Sequence, residues 1–116
     1  MVVGSENSGV MTLYRSVNHE ELNQIIKTKQ FAQGPNSLEG KFFAENYDDA
    51  QKWGDVMNGV DSHTVVEVHV PTDIAKEMMR WPRLDGIGPA RYGTLDQLEK
   101  VKIYVPELSN ENVFSP

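Results

Sequence analysis

The chain contains no cysteine, which excludes a disulfide framework, a thiol nucleophile and a thiolate metal site, and fits action in a reducing compartment. Basic side chains are scarce: 11 lysines and arginines stand against 17 aspartates and glutamates, a formal charge of −6. No run of lysine or arginine forms a stripe, so a protein that holds nucleic acid by neutralising its phosphates is disfavoured, while a local basic pocket is not. Long apolar runs are missing, so no membrane span is expected, and the start of the chain lacks the charged residues and apolar centre of a signal peptide. His63 and His69 lie too far apart for a helical i, i+4 ligand pair and match no zinc spacing, so no metal is expected. There is no Gly-x-Ser-x-Gly elbow, no P-loop and no strand-coupled Gly-x-Gly-x-x-Gly.

What is present fits one domain, since 116 residues is near the commonest domain size. Residues 1–10, small and polar, read as a flexible leader or linker, which leaves open that the domain is the C-terminal module of a longer polypeptide. Residues 11–105 carry the domain, and 106–116 read as a tail. Met11 to Ser16 alternate as a first strand, with Met11, Leu13 and Arg15 on one face and Thr12, Tyr14 and Ser16 on the other. A helix follows, with Asn18 as N-cap, Glu21 at the capping-box position and Leu22, Ile25 and Ile26 as its buried stripe. Lys41 to Glu45 read as a second strand; Asn46 caps a second helix whose core stripe is Ala50, Trp53, Gly54 and Met57. Thr64 to Val70 form the clearest strand, with a valine core face and Val65, Glu67 and His69 opposite. Pro71 stops it, Thr72 caps a third helix ended by Trp81-Pro82, and residues 83–93 read as a long irregular loop. Val101, Ile103 and Val105 mark a last strand. The class is α+β: a small mixed sheet of about four or more strands with about three helices.

Two polar stretches can make a site. The first is the turn-rich Gly34 to Gly40 loop, which brings Ser37, Glu39 and Lys41 to the edge of the Phe42-Phe43 strand. The second is the loop with Asp85, Arg91 and Tyr92. Arg15 shares a face with apolar neighbours, so it either snorkels at a sheet edge or stands as a fixed cation in a cleft. Likewise Glu67 and His69 either meet solvent or line a groove. A carboxylate beside a fixed arginine suits a reaction with a cationic transition state on an anionic substrate.

Leu13-Tyr14-Arg15 at the end of a first strand, Glu20-Glu21-Leu22 in a helix, Gly40-Lys41-Phe42-Phe43-Ala44, and Asp49-Ala50 followed at Trp53 together resemble ADP-ribosyltransferase toxin domains of bacterial polymorphic toxins of the Rhs and contact-dependent-inhibition types, over about residues 11 to 105. The resemblance implies NAD as substrate, no metal, and an ADP-ribosyltransferase-like sheet. It implies that Arg15 clamps the NAD phosphates or ribose, with Tyr14, Ser37, Lys41, Phe42, Phe43, Arg91 and Tyr92 completing the binding site; Phe42 or Phe43 would flank the nicotinamide. The family's Ser-Thr-Ser strand motif is replaced here by Lys-Phe-Phe-Ala-Glu, and no Glu-x-Glu or Gln-x-Glu triplet is present. The catalytic carboxylate is therefore sought at Glu67 first, then at Asp85 or Glu39. A monomeric domain delivered as part of a larger toxin, acting in the cytoplasm of a competing cell on a macromolecule, is implied, together with a cognate immunity protein. The negative charge favours a protein target over nucleic acid.

Two other classes fit parts of the chain. A metal-independent toxin ribonuclease would use His63, His69, Lys41 and Arg15 as acid, base and phosphate clamp. A non-enzymatic acidic binding module, such as an immunity protein, would use the −6 charge to cover a basic partner.

Overall fold

The computed structural model describes residues 9–32 and 40–105; Ser37, Glu39 and the tail from 106 lie outside the described residues. Strand β1 spans Val10–Val17, helix α1 His19–Thr28, strand β2 Gly40–Ala44, helix α2 Tyr47–Asn58 and strand β3 Thr64–Pro71. A short helix α3, Thr72–Glu77, leads into strands β4, Met79–Leu84, and β5, Gly88–Thr94. A 3-10 turn, Gln97–Lys100, precedes β6, Lys102–Tyr104. The α+β class expected from the sequence is the class observed: the described residues form three helices and one six-stranded sheet in the order β4-β5-β2-β1-β3-β6. Its pairings are antiparallel rather than mixed.

The two longer helices start where side chains can take up the orphan amides of a first turn. Asn18 Oδ1 accepts from the Glu21 amide at 2.8 Å, and Asn46 Oδ1 from the Asp49 amide at 2.9 Å. Acidic residues fill both first turns, where the helix dipole favours them. Thr72 does not cap α3; it is the first helical residue, after Pro71, and no side-chain cap forms there.

The stretch after α3 departs from expectation. The helix stops at Glu77, and the loop expected over 83–93 is a β-hairpin. Asp85 and Gly86 take φ of 57° and 73°, the positive angles of a two-residue hairpin turn that Asp-Gly favours. The Ile87 amide closes it on the Leu84 carbonyl at 2.9 Å. Pro82 is accommodated because β4 is an edge strand, where a missing amide breaks no ladder.

Period-2 alternation divides the core between the two faces of the sheet. Leu13 and Val17 of β1, Phe43 of β2, and Val66, Val68 and Val70 of β3 form the main cluster, closed by Ile25 of α1 and Ala75 of α3. Each such side chain contributes roughly 1.5–3 kcal/mol on full burial, which fixes the β1–β3 register from Val10 opposite Pro71 to Val17 opposite Thr64. On the other face α2 covers a smaller cluster of Ala44, Ala50 and Val65. Of the stripe expected on α2, Ala50 and Gly54 are buried, Trp53 is half-buried and Met57 is 74% exposed.

Strand β1 meets β2 through a single residue pair, Tyr14 opposite Ala44. Otherwise β2 is held by β5, from Gly40 opposite Thr94 to Ala44 opposite Ala90. The sheet therefore has a seam, and α2 is seated beside it by a close approach at Gly54, where a Cβ would run into the His63 ring and the Ser16 hydroxyl. Those groups form a chain from β1 to α2: Ser16 Oγ donates to the Ala50 carbonyl at 2.6 Å and lies 3.1 Å from His63 Nδ1, while His63 Nε2 lies 2.9 Å from Asp55 Oδ1. Gly54→Ala gains up to about 1 kcal/mol of helix propensity but must displace α2. We expect a net loss of roughly 1–3 kcal/mol, read as a lower urea midpoint with an unchanged slope. Unchanged or raised stability would contradict this seating of α2.

Candidate functional site

At the seam lies a cleft of about 480 Å³, walled by the end of β1, by β2, by α2 and by the β4–β5 turn. This volume is within the usual range for sites that hold small molecules. Arg15, alternating with Leu13 and Val17, points to the core face just past the last β1–β2 pair. Its Nε and Nη2 donate to the two Glu21 carboxylate oxygens at 2.8 and 2.9 Å, and its Nη1 donates to the Phe42 carbonyl at 3.0 Å. Arg15 is thus a fixed cation bridging β1, α1 and β2, rather than a snorkelling one. A guanidinium carries five N–H donors; two are left without a partner among the described residues.

Lys41 lies on the same face of β2, 7% exposed, with its Nζ 3.9 Å from Glu21 Oε2. Burial pushes its pKa below the ordinary 10.5; Glu21 opposes this and Arg15 adds to it. Two cations and one carboxylate meet at the seam, and with Asp85 the cleft's charged lining is two of each sign, in a chain whose formal charge is −6. Such a group can accept an oxyanion: Arg15 with its two remaining N–H donors, Lys41 as a point charge.

The remaining sequence candidates separate into those that reach the cleft and those that do not. Asp85, in the β4–β5 turn, lines it, and its Oδ2 accepts from Trp53 Nε1 at 3.1 Å. Tyr14 and Phe42 line it too; Tyr14 meets Tyr47 edge-on at 6.1 Å, and Phe42 packs on Tyr92 at 4.8 Å and on Trp81 at 5.6 Å. Tyr92 acts from behind Phe42. Phe43, 1% exposed and edge-on to Phe31 at 5.4 Å, is a core residue with no open face for a ligand ring.

Glu67 points from the opposite face of β3 and accepts from His69 Nε2 at 2.6 Å, while the His69 ring lies 4.5 Å from that of Tyr104. It does not line the cleft. Nor does Arg91, whose Nε donates to Glu45 at 2.8 Å and whose Nη1 donates to the Ala75 carbonyl at 2.7 Å. Glu45 also takes Arg80 Nε at 2.6 Å, and the Arg80 hydrogen bond, followed by that from Arg91, outweighs burial to hold its pKa below the ordinary 4.5. Arg91 is thus a tie between β5, β2 and α3.

Sequence reasoning missed Glu21 as a site residue. Its amide does serve the helix cap, and that role hid the carboxylate, which is turned toward Arg15. Trp53 was assigned to the core because its helical spacing is that of a core stripe; periodicity alone does not separate a stripe facing a core from one facing a cleft.

The lowered pKa of Lys41 makes anion binding pH-dependent in a stated direction. Only its protonated form attracts an oxyanion, and burial makes it lose that proton at lower pH than an exposed lysine. Inorganic pyrophosphate, titrated by calorimetry, should therefore bind more weakly as pH rises through the range below 10.5. Lys41→Gln should bind more weakly at neutral pH and lose most of this dependence; a slope retained in that variant would remove Lys41 from the anion site. Compared with models of protein families, with curated proteins and with solved structures, the chain shows no significant match.

Proposed function

We propose that this domain is a toxin-type ADP-ribosyltransferase that transfers ADP-ribose from NAD to a macromolecule, a protein rather than a nucleic acid. The observation that carries the reading is the convergence of Arg15, Lys41 and Asp85 on one cleft at the seam. Arg15 and Lys41 hold the pyrophosphate; Asp85 faces the ribose that bears the nicotinamide. The bond from the ribose anomeric carbon to the nicotinamide nitrogen breaks with its electron pair leaving on nicotinamide, which departs neutral. The positive charge that develops on the ribose is offset by the Asp85 carboxylate, and a nucleophile of the target attacks the anomeric carbon and gives up its proton. Asp85 displaces Glu67 as first choice because Asp85 lines the cleft, whereas Glu67 does not and is engaged with His69. In this reading the domain acts as a monomer, delivered into a competing cell as part of a larger toxin, and is held silent in its producer by an immunity protein.

The ribonuclease reading is weakened by the same geometry. The His63 side chain is 1% exposed, between Ser16 and Asp55, and does not reach the cleft.

The test is labelling of a bacterial lysate with biotinylated NAD by the parent domain, Arg15→Lys, Asp85→Asn and Glu67→Gln. Asp85→Asn should lower the rate about 100-fold, the scale of a lost transition-state electrostatic contact, with Glu67→Gln close to parent and Arg15→Lys raising KM. Loss with Glu67→Gln and not with Asp85→Asn would move the carboxylate out of the cleft to β3. No labelling by the folded parent, with lysate RNA degraded, would replace the transferase by a nuclease.

A further inference from the structure

We infer that Trp53 is the platform for the aromatic base of a nucleotide, so that the cleft reads its ligand from phosphate at Arg15 and Lys41 to base at α2. The inference deepens the NAD reading and rests on it for the identity of the ligand. Its origin is an apolar stripe that the core does not use. Trp53 and Met57, one helical turn apart and therefore neighbours on one face of α2, have the spacing of core positions. Both line the cleft instead, with Trp53 half-buried and Met57 74% exposed.

Trp53 is also held in place. One side rests on the cluster of Ala44, Ala50 and Val65, and its indole N–H is taken up by Asp85 Oδ2 at 3.1 Å. An indole fixed at its polar edge and at one side, with its remainder in a cleft that has cations elsewhere along its wall, meets the two demands of a nucleotide. Its π-surface stacks on any base, and its rigidity keeps the ordering cost low. Phe42 of β2 lines the same cleft and is itself braced by Tyr92 and Trp81. Met57 supplies an adaptable thioether at the rim.

The chain has two tryptophans, Trp53 and Trp81, so Trp81→Phe leaves Trp53 as the single indole reporter. In that background NAD and AMP should quench the emission saturably, whereas ribose 5-phosphate, which has the phosphate without a base, should change it little and bind at least about ten-fold more weakly. By calorimetry, in the otherwise native chain, Trp53→Leu should lower NAD affinity about ten-fold, the scale of one base–aromatic stack. Trp53→Phe, which keeps a ring and loses the N–H, should retain most of it. Met57→Gln, at an exposed position, gives a second variant with little risk to folding, and should weaken NAD and leave ribose 5-phosphate unchanged. Equal affinity for NAD and ribose 5-phosphate, no change in emission with either nucleotide, or a folded Trp53→Leu with parental affinity would overturn the platform. Quenching by AMP and NAD with no transfer of ADP-ribose to any lysate component would uphold the platform and overturn the transferase. Transfer with KM unchanged in Trp53→Leu would do the reverse.

Discussion

The Arg15 guanidinium spans the opening between β1 and β2, and the arrangement of the cleft depends on where it is held. Beyond the Tyr14 and Ala44 pair the two strands share no further register, and Arg15 reaches across to the Phe42 carbonyl while Glu21 grips it from α1. Ion pairs as shielded as this one, with side chains 20% and 17% exposed, add little to stability, because desolvation offsets most of the Coulomb gain. Its consequence is geometric. The pair sets how far β2 stands from β1, and therefore the width of a space that would close if the ladder continued.

The same pair explains how a strongly acidic chain keeps two cations together at one wall of a cleft. At the seam Glu21 compensates one of two buried or half-buried cations, with Asp85 on the facing wall, and charges in such a partly buried cleft are screened less than at the surface. Lys41 alone, desolvated as it is, would tend to lose its proton; Glu21 opposes that. The carboxylate thus orients Arg15 and helps to keep Lys41 charged. Across the cleft Trp53 and Asp85 hold each other, so helix α2 and the β4–β5 turn act as one wall, and the seam with its cations is the other.

Much of the scaffold was legible in the residues, and for local reasons. The valine alternation of β3, the Asn18 and Asn46 caps and the burial of Leu13, Val66, Val68 and Val70 followed from period and capping chemistry. The hairpin after Glu77 was missed because Pro82 and three glycines read as loop punctuation, although Asp85-Gly86 between apolar segments was a hairpin signal in plain view. Of the candidates, Arg15, Lys41 and Asp85, singled out by residue chemistry, and Phe42, implied by the resemblance, line one cleft. Phe43 and Arg91 were drawn into packing and strand ties, and Glu67 is engaged by His69 outside the cleft. Which strand residues reach a cleft depends on where a sheet opens, and nothing in a local window encodes the opening between β1 and β2.

Occupation of the seam by an anionic nucleotide is the proposal on which the roles of Arg15, Lys41 and Trp53 rest. A crystal structure of the domain soaked in millimolar NAD tests that most directly. The account predicts pyrophosphate density within hydrogen-bonding distance of both Arg15 and Lys41, inside the cleft bounded by α2. Density beside Glu67 and His69, outside the cleft, or an empty seam while NAD is bound elsewhere, would contradict it.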